Sequence, residues 1–137
     1  MRRISFIVYG HAAPQGSSRA FVPKGWKRPI VTSTNPKLKP WRQQVSGAAV
    51  SLGEAMFEQH VPVRVSLDFF FTRPKSVSVK KRPAMTSAPD VDKLQRGCFD
   101  ALKGILIHDD AQIVDVRARK LYGDPERVEI TVSEECE

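Results

Sequence analysis

From Met1 to Val50 the chain has no acidic residue; the first is Glu54. Across 137 residues, 22 Lys and Arg stand against 15 Asp and Glu, a net charge of +7. All of the positive excess therefore lies at the front, and that placement argues for a polyanionic partner. Cysteine is scarce as well. Cys98 and Cys136 are no disulfide framework, and a reducing cytoplasm is the simplest compartment. The three histidines, His11, His60 and His108, are far apart and pair with no cysteine at zinc spacing. Long apolar runs are missing: Val65 to Phe71 is broken by Ser66 and Asp68, and a membrane span needs roughly 20 apolar residues. Met1 to Tyr9 is basic then apolar, like the opening of a signal peptide. Its apolar part is short, alternates with Ser5 and runs into a polar loop, so a first strand is expected there. There is no internal repeat and no low-complexity tract. With 41% hydrophobic and 27% charged residues, the remainder is an ordinary globular composition, sized for one domain over residues 1–137.

Ile4, Phe6 and Val8 alternate with Ser5, Ile7 and Tyr9, the period of a strand. Gly10 to Pro36 is rich in Gly, Pro, Ser and basic residues and reads as a long loop, with a short hairpin placed around Ala20–Val22 and Ile30–Thr32. Trp41, Val45, Ala48, Leu52 and Ala55 form one helical stripe, with Pro40 in its first turn. Val61, Val63, Val65, Leu67, Phe69 and Phe71 alternate without a miss, which makes this the clearest strand. A second basic loop runs from Arg73 to Pro89. A second helix is expected from Val91 to Lys103, stopped at Gly104. Strands at Gln112–Leu121 and Val128–Val132 follow, split by the Gly123-Asp124-Pro125 turn. The order β-α-β-α-β-β predicts an α+β domain: a mixed four-stranded sheet with two helices on one face.

Chemistry concentrates at Pro89-Asp90-Val91-Asp92-Lys93-Leu94-Gln95-Arg96. Asp90 can be an N-cap and Asp92 a first-turn carboxylate, with no further duty. A second acidic pair, Asp109-Asp110, can equally be a turn with Asx hydrogen bonds. If the chain returns to bring three carboxylates together, their repulsion calls for a hard divalent cation. Mg²⁺ takes one or two carboxylates, waters and phosphate oxygens, and Mn²⁺ is a possible substitute. In a basic chain, such a site suits a phosphodiester held by metal and flanked by Lys and Arg.

Asp90-x-Asp92-x-Leu94-x-Arg96, then Phe99-Asp100-Ala101-Leu102, then Asp109-Asp110-Ala111-Gln112 resembles the core of the RusA family of Holliday-junction resolvases over roughly Pro89 to Lys120. The front half is similar to phage-borne members more loosely, through Pro14-Gln15-Gly16 and the basic loop to Phe21. The resemblance implies a RusA-like fold and Mg²⁺-dependent, homodimeric cleavage of four-way DNA junctions by paired nicks in recombination and repair. It implies Asp90, Asp92 and Asp110 as the essential acids and metal ligands, with Asp109 a structural neighbour. The family's lysine four residues after the second Asp of DxD is Arg96 here. Arginine supplies charge and a donor fork but no proton. Either Arg96 keeps an electrostatic role in catalysis or activity is altered; as a plain surface residue it would pair with Asp92.

Arg19, Lys24, Lys27 and Arg28, with Phe21 and Trp26 interleaved, can track a phosphate backbone and stack on bases. Lys75, Lys80, Lys81 and Arg82 adjoin the acids and are expected to bind DNA as a cluster. His108 is expected to be a turn residue, and Trp41 and the Phe69–Phe71 stripe to be core. The reading that follows is a structure-selective endonuclease of branched DNA, encoded by a phage or prophage and acting in the bacterial cell, without a membrane segment. Its competitors are a non-catalytic junction- or single-strand-binding protein and a nuclease acting mainly on flaps or forks. The length of the Val61–Phe71 alternation further predicts apolar surface left over for burial between subunits.

Overall fold

In the computed structural model, residues 1–135 are described except Ser17, Pro23, Pro29 and Thr34, and the side chains of 18–21 and 30–33 are also left aside. Cys136 and the side chain of Arg19 thus lie outside the described residues. Strand β1 is Arg3–Tyr9; β2 (Ser18–Phe21) and β3 (Ile30–Ser33) pair antiparallel as a two-stranded sheet. Helix α1 is Leu38–Ser51, β4 is Val63–Phe71, α2 is Val91–Leu102, β5 is Ile113–Tyr122 and β6 is Arg127–Glu134. The four long strands form one mixed sheet in the order β1-β6-β4-β5, antiparallel except for the parallel pair β4–β5. The expected order and architecture are met, with the two-stranded sheet inserted after β1. Pro62 precedes β4 rather than entering it, as a residue without an N–H must.

Period-two patterning sorts the sheet into two faces. Val63, Val65, Leu67, Phe69 and Phe71 face the helices and are 0–2% exposed, with Val128, Ile130 and Val132 beside them. Trp41, Val45 and Ala49 of α1 and Leu94, Cys98, Ala101 and Leu102 of α2 complete the layer. Burial pushes the Cys98 thiol up to about 12, so at neutral pH it packs as a small apolar group. The expected surplus of apolar surface on β4 is absent. Ala12, Ala13, Phe57, Leu106 and Ile107, all in connections, finish what the helices leave uncovered. On the sheet, apolar surface stays open at both edge strands: Val114 is 60% and Val116 38% exposed on β5, and Ile7 44% and Tyr9 58% on β1.

Among the described residues the opposite face carries no helix and is largely polar. Arg119 grips Asp68 with two nitrogens at 2.8 and 2.9 Å, and Arg64 bonds Asp115 at 2.8 Å and Glu135 at 3.2 Å. The Arg119 hydrogen bond holds the Asp68 carboxyl below its ordinary pKa of 3.8, against a smaller opposing effect of burial. A lowered folded pKa stabilises the fold above the ordinary value and is lost as pH falls through the lowered one. Urea denaturation should therefore find Asp68→Asn less stable than the parent at neutral pH, by about 1 kcal/mol as for good exposed pairs. The gap should close once acid has protonated Asp68 in the folded parent.

Candidate active site

Helix α2 begins where a long basic loop ends, and two cations tie that loop down. Arg73 lies over the Tyr122 ring at 4.1 Å and donates to the carbonyls of Arg82 (2.6 Å) and Pro83 (3.1 Å). Lys120, near the far end of β5, donates from Nζ to the carbonyls of Ser87 at 2.7 Å and Pro89 at 2.9 Å. The first turn of α2 is thereby anchored to the C-terminal end of the parallel strand pair. Asp90 occupies the N-cap position in extended backbone (φ −75, ψ 138), yet its side chain caps no N–H. Its carboxylate stands 3.7 Å from Lys93 Nζ. Asp92 is exposed in the first turn, and Arg96, one turn on, makes no ion pair with it among the described residues. The i,i+4 surface pair is not formed.

Asp110 arrives from the other end. Beyond α2 the chain turns through Gly104, held by an N–H bond to the Ile107 carbonyl at 2.7 Å. It then enters a 3-10 turn at Asp110–Gln112 that leads into β5. Asp109 is taken by Lys103 at 3.1 Å, and that hydrogen bond, before the other contributions, holds its carboxyl low. Asp110 is different. Its Oδ1 is buried with no partner among the described residues. Burial first, and then the nearby Asp100 charge, raise its carboxyl above the ordinary 3.8, while Lys103 pulls the other way. Asp100 itself lies 3.5 Å from Arg42. Gln15 closes the arrangement: its N–H bonds the Lys93 carbonyl at 2.9 Å, and its Oε1 is buried without a partner among the described residues. Gln15, Lys93, Arg96, Asp100 and Asp110 line one cleft of about 460 Å³.

Asp110 and Arg96 thus line the same cleft, while Asp90 and Asp92 stand at the start of α2. Among the described residues, no three His, Cys, Asp or Glu side chains are grouped so as to hold a metal ion. The return that would bring three carboxylates together within one chain does not occur. Twelve residues of α2 span about 18 Å at ~1.5 Å each, and β4 and β5 are parallel, so the return loop emerges at the other edge of the layer. Lys75, Lys80, Lys81 and Arg82 are all exposed on the loop before α2, and Lys24, Lys27 and Arg28 are exposed between β2 and β3 beside Trp26, itself 59% exposed. His108 is exposed and donates its backbone N–H to Gln112 Oε1. Gln15, Lys93 and Asp100 were not among the expected site residues. Asp100 was detectable as the third member of the i, i+4, i+8 row begun by Asp92 and Arg96.

Residues 12–133 match the family model described as Endodeoxyribonuclease RusA. A Bacillus subtilis (strain 168) protein named as uncharacterized protein YqaN is 29% identical over 140 residues, covering 96% of each chain. A Lactococcus phage r1t protein named crossover junction endodeoxyribonuclease rusA is 35% identical over 81 residues, covering 57% of this chain and 59% of its own.

The electrostatics of Asp110 give a stability test. A carboxyl whose folded pKa is raised destabilises the fold as pH rises through the ordinary value, and the cost is complete above the raised one. Metal-free Asp110→Asn should accordingly melt a few degrees above the parent at neutral pH. The gain should vanish below pH 3.8, the ordinary value, when thermal melts are followed across pH.

Proposed function

The chain belongs to the RusA family of endodeoxyribonucleases, and from that we propose that it is a divalent-metal-dependent, structure-selective nuclease that resolves four-way DNA junctions by paired nicks as a homodimer. The observation that carries this reading is a buried carboxylate oxygen on Asp110, without a partner among the described residues, in a cleft that Arg96 also lines. Structural carboxylates find donors. One that stays unpaired, desolvated and repelled by a neighbour fits a site awaiting positive charge.

Asp110 meets the donor chemistry of Mg²⁺: a hard oxygen whose Oδ1 has no hydrogen-bond partner among the described residues. Asp90 and Asp92 are the further carboxylates that would hold the ion, and one chain keeps them apart from Asp110. Paired nicks already call for two chains about a two-fold axis, and we take the acids to act together across it. The chemistry such an ion supplies is polarisation of a phosphodiester oxygen and a lowered pKa for water. Arg96 contributes fixed charge and a two-pronged donor for the non-bridging oxygens, which offsets negative charge developing at phosphorus. Lys93 lies between Asp90 and the Asp110 cleft and can hold a phosphate at either. The cations of the two basic loops grip the flanking backbone. In-line attack by water leaves a 5′-phosphate and a 3′-hydroxyl.

Nicking of synthetic four-way junctions, forks, flaps and plain duplex in Mg²⁺ tests the reading, with the junction expected to be cut fastest and by paired nicks. Binding without cleavage would leave the non-catalytic alternative. Asp92→Asn and Asp110→Asn should each abolish cutting and leave junction binding equal or tighter, since each removes repulsion toward phosphate. Arg96→Ala should lose on the order of 10²-fold in rate or more, as for other removed electrostatic donors, and Arg96→Lys should keep much of it. Mixing the two inactive Asp chains should restore single nicks if the acids act across the dimer, and nothing if each site belongs to one chain.

Neutralising Lys80, Lys81 and Arg82 together should flatten the salt dependence of junction binding by roughly 0.9 in log–log slope for each phosphate they no longer neutralise. An unchanged slope returns that loop to plain solvation.

A further inference from the structure

Lys93 has a second neighbourhood. It also lines another cavity, of about 390 Å³, together with Asp90. That volume lies in the range of roughly 300–1,000 Å³ in which small organic groups are bound. The walls are mostly carbon and come from two segments: Ala12, Ala13 and Pro14 after β1, and Ala88 and Pro89 before α2. Alanine and proline are short and stiff, so they line a hollow without filling it.

Few polar groups enter. Asn35 is already committed, donating to the Pro14 carbonyl at 2.8 Å and accepting from the Lys37 N–H at 3.1 Å. His11 is held in place: its ring packs edge-on to Phe71 at 5.2 Å, and its Nδ1 lies 3.0 Å from Glu126 Oε1. Its Nε2 is the ring nitrogen left for a ligand. Lys37 and the Asp90–Lys93 pair supply charge at the margin. A hollow with carbon walls and a few fixed hydrogen-bonding groups suits a flat heteroaromatic ring, where the walls give affinity and the polar groups give identity.

We propose that this cavity takes one unstacked nucleobase of the strand whose phosphate lies against Lys93 and Arg96, and so sets the sequence at which that strand is cut. The proposal rests on the nuclease reading above. It is motivated by continuity: Lys93 lines both hollows, and the Gln15 N–H to Lys93 carbonyl bond ties their shared wall to the helix. A backbone seated on Lys93 has a base one nucleotide away on either side. Extruding a base costs an unstacking and unpairing energy, and the unstacking part is smallest where stacking is already interrupted, as at a branch point. A site that hydrogen-bonds one base edge rejects others because its own polar groups are left unpaired.

Two measurements test it. Four-way junctions randomised around the exchange point are cut in Mg²⁺ and the product ends sequenced. Separately, 2-aminopurine is placed in turn at each nucleotide flanking the exchange point and its fluorescence read on binding in Ca²⁺. The parent should prefer one base at one position by about 10-fold or more, the scale of a pocket-based discrimination, and should brighten 2-aminopurine at that position. Ala88→Trp fills the cavity from an exposed position, and it should flatten the preference and abolish the brightening. His11→Ala, which removes an exposed ring, should weaken the preference without closing the cavity and should keep the brightening. Cutting with the parent's base preference in both variants, or no brightening at any position, overturns the pocket while leaving the nuclease reading standing. Brightening that Ala88→Trp removes, in a protein that never cuts, upholds the pocket and overturns the nuclease reading.

Discussion

The parallel pairing of β4 with β5 governs everything that follows it in the chain. Two neighbouring strands cannot run in the same direction without a crossover that returns the chain along the full length of the sheet. Here α2 makes that crossover. Its first turn must lie at the end where β4 finishes, and its last turn at the end where β5 starts. The register makes this concrete, with Val63 opposite Ile113 at one end and Phe71 opposite Tyr122 at the other. Asp90 and Asp92 belong to the first end, and Asp110 to the second. The distribution of acids along the helix is therefore a consequence of strand direction, and Arg96 lies between them because it lies mid-helix.

The two ends are also electrostatically unlike. At the first, Asp90 has Lys93 close by and the helix start favours negative charge. At the second, Asp109 absorbs Lys103, and Asp110 is left in a desolvated place with Asp100 for a neighbour. Adjacent residues of identical type are thus given opposite conditions by which side of a 3-10 turn they fall on. The fold loses stability at Asp110 and recovers it in the core, where the inward residues of β4 are all but fully buried.

Much of this was readable from residue order. The alternation from Val61 to Phe71 located the central strand, the stripe from Trp41 located α1, and the Gly104 stop fell within two residues of the end of α2. These are local periodicities, and local periodicity survives folding when one face is buried. DxD followed by DDAQ marked the acids. Strand direction was not readable, because a buried strand has the same pattern whichever way it runs, and so residue order left open whether three acids meet in one chain. Gln15 was invisible for another reason. Its place depends on a backbone hydrogen bond to Lys93, 78 residues away (93 − 15), and backbone bonds carry no side-chain signature. The surplus on β4 was misjudged because connections such as Phe57 and Leu106, not only helices, cover the sheet.

The bracing of the loop before α2 bears on how quickly the molecule meets a polyanion. Arg73 directs its charge inward, onto the carbonyls of Arg82 and Pro83 and the Tyr122 ring. Its neighbours Lys75, Lys80, Lys81 and Arg82 stay exposed. A loop already held in shape surrenders little chain entropy on meeting a partner. Encounter is then limited by diffusion in the field of those cations rather than by a slow rearrangement. One arginine turned inward makes the others act as a fixed antenna, and the speed of capture falls as salt screens their field.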